Sequence, residues 1–345
     1  MQIKNTIKTL CEVCGIAGQE SAIASLIKEE IVNCCKCKID NIGNVVAFKK
    51  GRKAPKHKIM LVAHMDEVGF LVSNIENDGL LKLVKVGGID TSILVGQTLL
   101  VAAKKKFLPG VVGTKPVHLQ SRDERCREID MSSLMLDIGC KTKEEAEKLV
   151  DIGTSVYFSS KFEEFGEGLI KSKAVDDRVG CAILVELLKT FDECDFYAVF
   201  STMEEVGGRG ARIAAEAIKP DIAIVVECTT AADTPVTSEY GKVCCMNMGP
   251  AISFMDNGTV YDQKLVELAF KEAEHGNLKA QYKKAVCGSN DAAGLHSAGT
   301  GIRTLAISVP TRYLHSQASV ASMLDVEQTV MLLKLIMQSF VTGGK

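Results

Sequence analysis

Glu204 and Glu205 stand side by side one residue beyond an apolar run, FYAVFST. One of two adjacent carboxylates can hold a cation. The other can take a proton from the water that the cation polarises and pass it to a leaving amine. Four further places supply the same kinds of group. His64 and Asp66 follow the apolar run Ile59–Ala63, Glu227 follows DIAIVV, and His315 follows TLAISVP by way of Arg312 and Tyr313. Asp176 and Asp177 precede a helical stretch beginning near Arg178. Each item alone has a plain structural explanation: a satisfied histidine, a solvated acidic face, a helix cap. Together they bring imidazole and carboxylate from five segments, and carboxylates gather at that cost only around compensating cations. Imidazole with carboxylate suits zinc, cobalt or manganese. A pair of ions about 3.5–4 Å apart needs one bridging acid and end ligands on each side, which this set contains. Residues i and i+2 of a strand end share a face, so Asp66 is placed to hold the second ring nitrogen of His64.

Such groups converge only if a sheet carries them. The apolar runs at 59–63, 196–202, 221–227 and 304–310 alternate with helical stretches at 178–191, 210–219, 261–275 and 326–340. That rhythm predicts an α/β fold, a mostly parallel (mixed) sheet with helices on both faces, whose ligands sit beyond the carboxyl ends of the strands. Residues 3–33 read as helix broken around Gly15–Gly18. Between about 70 and 165 the pattern changes to short β-like segments such as LLKLVKV, QTLLVAA and GVVGT. A small β-rich domain, 71–164, is therefore expected as an insertion into a catalytic domain formed by 1–70 and 165–345.

Bulk properties remove several classes. A formal net charge of −2 over 345 residues gives no basic surface for nucleic acid, and the chain has no Trp to stack sugars or bases. No run of 18 apolar residues predicts a membrane span. The opening MQIKNTIKTL is too polar for a secretory signal. Thirteen scattered cysteines fit a reduced, cytoplasmic protein with free thiols. Cys34, Cys35 and Cys37 match no zinc spacing and read as structural. The GGRGA turn fails as a dinucleotide loop because Ile213 stands where Gly or Ala is needed. His57, His118, His275 and His296 stand outside this strand-end set and read as structural or surface histidines.

The motifs VAHMDEVGF at 62–70, AVDDRVG at 174–180, MEEVGGRGA at 203–211 and PTRYLHS at 310–316 occur in this order. With them the chain, over its whole length, resembles the tetrahedral (TET-type) glutamyl, leucyl and lysyl aminopeptidases of the clan MH dinuclear metallopeptidases. The resemblance implies two divalent metals, zinc or cobalt. His64 would bind one ion with Asp66 behind it, and Asp176 would bridge both, with a cis peptide to Asp177. Glu204 would be the general base, and Glu205 and His315 would bind the second ion. Glu227, where many relatives have Asp, would complete the first ion's ligands, with Asp233 as the alternative. It also implies short peptides as substrates, and dimers built partly through the inserted domain and assembled into a tetrahedral dodecamer. Three rivals stay open: a metal amidohydrolase on the same scaffold that removes an acyl group, an endoglucanase using paired acids, and a non-catalytic assembly protein that kept the fold.

Overall fold

The computed structural model describes residues 2–238 and 241–342. The chain divides into two compact units. One comprises the residues up to Glu67, Lys161–Leu314 and the residues from Ala318. The other comprises Val68–Ser160 with His315–Gln317.

The larger unit is built on an eleven-stranded mixed sheet. Its centre is four parallel strands in the order Phe196–Ser201, Ile59–His64, Ile222–Thr230 and Arg303–Arg312. All six residues of Ile59–His64 are buried. Successive side chains of a strand point to opposite faces, so this strand is covered on both, which is why its sequence is an unbroken apolar run. The covering helices include Val175–Thr190, which packs on Ile59–His64 and Ile222–Thr230, and Arg209–Ile218, which packs on Phe196–Ser201. Antiparallel strands close the edges: Val45–Lys49 and Lys36–Ile39 on one side, then Ser319–Ser322, Leu169–Ser172 and Glu163–Phe165 on the other.

Parallel register decides which strand ends share an edge. Ser201 pairs with His64. Continuing the Val225–Val62 pairing two residues brings Glu227 level with His64. Glu227 is not at a strand end, because its strand runs on to Thr230. The last helix is also longer than its sequence pattern suggests, Met323–Thr342. Both extensions add buried contacts at positions that local pattern reads as boundaries.

The smaller unit is a closed six-stranded antiparallel barrel, in the order Gly69–Ile75, Leu81–Val86, Met135–Asp137, Phe107–Gly113, Thr98–Ala102 and Ser155–Phe158. Alternate residues fill its interior, among them Phe70, Leu81, Leu99, Val101, Leu136 and Phe158. The Phe70 and Phe158 rings meet edge to face, 5.6 Å between centroids. No described helix of the chain is long and apolar enough to cross a membrane.

Candidate metal centre and active site

His64 is the pivot of the site. It is almost fully buried, and its Nδ1 lies 3.0 Å from the backbone oxygen of Asp66. A carbonyl only accepts, so Nδ1 carries the proton and Nε2 is left with its lone pair in the neutral ring. Nε2 lies 3.3 Å from Asp176 Oδ1 and 3.4 Å from Glu227 Oε1. In that neutral form a lone pair facing two carboxylate oxygens is repulsive, so the geometry calls for a positive charge there, a proton on Nε2 or a metal ion. Ligand atoms of His64, Asp176 and Glu205 lie within 4.8 Å of one another, and so do those of His64, Asp177 and Glu227. Asp177 Oδ2 is buried without a hydrogen-bond partner. These are the marks of a cation-binding cluster, and the donor set fits divalent ions.

The electrostatics agree. Burial, reinforced by Glu227, pushes the Asp177 carboxyl well above the usual range. Burial, with Asp176 adding to it, pushes Glu227 up to about 8. Burial also raises Glu204 well above an ordinary glutamate. Burial opposes charge on His64, but Glu227, Asp176 and Asp66 outweigh it and hold the ring well above its ordinary value. So many acids resist ionising together without a cation. Cys228 comes close to Asp176 and Asp177. Burial and those acids raise its thiol, and its Sγ contacts the Val175 carbonyl, so it is a poor ligand.

Asp66 has further partners besides the one its spacing suggests. Its carboxylate stands 3.6 Å from His64 Nδ1, beyond the backbone contact. In addition, Oδ1 accepts the Glu204 amide and Oδ2 the Glu205 amide, each at 3.0 Å. Two amide donors aimed at both oxygens satisfy a fully buried carboxylate better than one imidazole edge. Asp66 thus shapes the turn that presents the glutamate pair. That turn leaves its strand through Met203, at φ +56°. Gly210, at the start of the next helix, must be glycine. A Cβ there would come 2.3 Å from Asn44 Oδ1 and 2.5 Å from the Thr202 backbone.

Asp176 and Asp177 enter from the start of the Val175–Thr190 helix, joined by a cis peptide bond. Asp177 Oδ1 accepts the Gly180 amide at 3.0 Å. A Cβ at Gly180 would lie 2.4 Å from both Asp177 oxygens. The next residue, Arg178, is fully buried and donates to the carbonyls of Leu10, Val13, Gly15 and Met65. Lys173 reaches Val13 O and both oxygens of Glu67. His315 groups with the barrel unit, where its Nδ1 lies 2.7 Å from the Gly88 carbonyl. Asp233 forms a two-point pair with Arg312, at 2.6 and 2.9 Å, which occupies both its oxygens.

Several residues of the cluster carry no sequence signal. Asp291 is buried, accepts Ser201 Oγ at 2.5 Å through Oδ2, and leaves Oδ1 without a hydrogen bond. Burial pushes it up to about 6. In GSNDAAG it reads only as a helix cap. Glu67, Lys173 and Glu20 read as surface charge and are all buried.

Histidine and carboxylates converging at the carboxyl edge of an α/β sheet, with a spare glutamate at their side, place the molecule among the metal-dependent hydrolases. The chain belongs to the M42 glutamyl aminopeptidase family, whose model matches residues 43–332. It is 32% identical to the lysyl aminopeptidase of Pyrococcus furiosus, over 96% of each chain. Among solved structures it matches an aminopeptidase of Desulfurococcus kamchatkensis at 32% identity and TM-score 0.93, covering 98% of this chain and 94% of that one. The TET1 peptidase of Pyrococcus horikoshii, described as forming a tetrahedron or a large octahedral shell, matches at 31% identity and TM-score 0.86, covering 97% and 98%. The chain is an aminopeptidase of the metallopeptidase type.

Proposed function

We propose that the chain removes the N-terminal residue from short peptides at a centre for two divalent ions, zinc or cobalt. The observation that carries this reading is the pair of triads, His64–Asp176–Glu205 and His64–Asp177–Glu227, sharing one histidine. In this reading His64 and Glu227 would hold one ion, Glu205 the other, and Asp176 would be shared by both. His315 joins the second ion's ligands on the strength of its place in PTRYLHS. Ions bound there supply Lewis acidity and lower the pKa of water toward neutrality.

The chain's own groups do the rest. Glu204 accepts the proton of the attacking water, holds it at the carboxylate, and delivers it to the amine of the departing peptide. The elevated affinity of Glu204 for protons, caused by burial and relieved by neighbouring positive charge, suits it to both tasks. Asp66 fixes the backbone from which Glu204 and Glu205 hang. The His64 Nδ1–H bond to the Asp66 carbonyl keeps Nε2 pointed at the carboxylates.

Assembly of identical subunits into a tetrahedral dodecamer, with the barrel unit taking part in dimer contacts, and a cytoplasmic location belong to the same proposal. They are supported by the assembly described for the horikoshii relative and by thirteen free thiols. The test is a panel of aminoacyl p-nitroanilides, their N-acetyl forms and carboxymethylcellulose, assayed after EDTA and after zinc or cobalt is restored. Metal-dependent release from free-amine substrates alone is expected. Cleavage of blocked substrates would favour a deacylase, and EDTA-resistant action on cellulose an endoglucanase.

A further inference from the structure

Four consecutive backbone amides at the catalytic turn are taken by side chains. Thr202 N donates to Asn44 Oδ1 at 2.9 Å, Met203 N to Glu20 Oε1 at 3.0 Å, and Glu204 N and Glu205 N to Asp66. A non-glycine residue held at φ +56° persists only where its surroundings over-determine it, and here they do. Glu20 is the member of this set contributed from outside residues 43–332, the stretch matched by the family model.

Glu20 is an odd residue for its place. It occupies the N-cap position of the Ser21–Ile31 helix, where Ser, Asp or Asn is favoured, and its side chain makes no cap hydrogen bond. It is buried, and the same Oε1 accepts Gly18 N at 2.8 Å and Met203 N at 3.0 Å. The loop that carries it is tied to the other catalytic strand end as well. Gly15 N donates to Glu67 Oε1 and Glu67 N to Gly15 O, both at 3.0 Å, one residue beyond Asp66. The connection between the first two helices therefore grips both the His64 segment and the Glu204 segment.

Resting on the aminopeptidase reading, we propose that Glu20 is a positioning residue for the reaction. By fixing the Met203 amide it sets where the Glu204 carboxylate hangs, at the expense of a better helix cap. The acceptor oxygen and its reach matter, and the charge does not. A displacement of about 1 Å in such a group lowers turnover by about a hundredfold.

The experiment uses the full chain loaded with zinc or cobalt and the p-nitroanilide it cleaves best. Glu20→Ser supplies a favoured cap and removes the acceptor. It should lower kcat tenfold to about a hundredfold, with KM within about threefold, metal content unchanged and the thermal midpoint close to wild type. Glu20→Gln keeps the acceptor and should restore kcat to within about threefold. Glu20→Asp, which keeps the charge and supplies a favoured cap but is one methylene short of Met203, should behave like Glu20→Ser, and serves in its place if that variant does not fold. Wild-type kcat in a folded Glu20→Ser or Glu20→Asp chain overturns the proposal, as does a Glu20→Gln chain no better than these. In both cases an active wild type leaves the aminopeptidase reading standing, whereas an inactive wild type overturns both.

Discussion

Asp66 shows how little of a residue's job its spacing reveals. The HxD pattern placed it beside His64 and implied service to the ring. In the fold its carboxylate stands 3.6 Å from the ring nitrogen but also serves the backbone of Glu204 and Glu205, while its own carbonyl takes the ring proton. Asp66→Asn makes the difference measurable. An amide offers one acceptor and sets an NH2 group against the second backbone N–H. Turnover should fall at least tenfold, within the tenfold-to-hundredfold range for loss of an orienting partner, in a chain that still folds. Unchanged kcat in the folded variant would show that the turn does not need both oxygens. The residues proposed as ligands, His64, Asp176, Glu205 and Glu227, stand out in the sequence because metals demand a narrow choice of side chain, and the fold gathers them into the same clusters. The supports do not stand out. Glu20, Asn44, Glu67 and Asp291 act through backbone amides or hydroxyls, and any acceptor brought there by the fold would have looked the same in the sequence.

Elements were legible where periodicity was long and burial complete. The runs at 59–63, 196–202 and 304–310 became the core strands because each lies between two covered faces. The short strands Glu163–Phe165 and Ala251–Ile252 escaped notice, since two or three residues carry no period and their pairing is decided by distant chain. The Gln263–His275 helix offers a test at this scale. Asp262 caps it by accepting Leu265 N at 3.0 Å, and pairs with Arg303 at 2.7 and 3.1 Å. The Arg303 hydrogen bond holds the Asp262 carboxyl below its usual value, against a smaller opposing effect of burial. A lowered folded-state pKa means stabilisation that is present above the unfolded value and is lost as pH falls through the folded one. Asp262→Ala should therefore cost about 1–2 kcal/mol at pH 7. The gap in urea midpoint between variant and wild type should narrow only below about pH 4. A gap that stayed constant into acid would remove Asp262 ionisation as its cause.

At the scale of the whole molecule, the insertion was visible as a change in composition, and its limits were not. The units part after Glu67 and before Lys161, where the sequence suggested 71–164. Val68–Phe70 closes the VAHMDEVGF motif that begins on the preceding strand, so the sequence gives no sign that the chain has changed unit. The grouping of His315–Gln317 with the barrel depends on tertiary contacts and no local pattern announces it. Because the acids of the metal cluster are buried together, an ion that binds the folded chain should stabilise it as a whole. With free zinc or cobalt at a hundred times its Kd, stabilisation of about 2.7 kcal/mol per site is expected, seen as a higher thermal midpoint that EDTA reverses. A midpoint indifferent to metal and chelator would contradict a cation site in this cluster.

The central claim is that Glu204 moves the proton while its neighbours hold the ions. Glu204→Gln, with bound metal counted by elemental analysis beside kcat on a free-amine p-nitroanilide, tests it most directly. The account predicts metal content equal to wild type and kcat reduced by at least about a hundredfold, at the lower end of what a positioned general base contributes. Near-normal turnover at full metal content would contradict it.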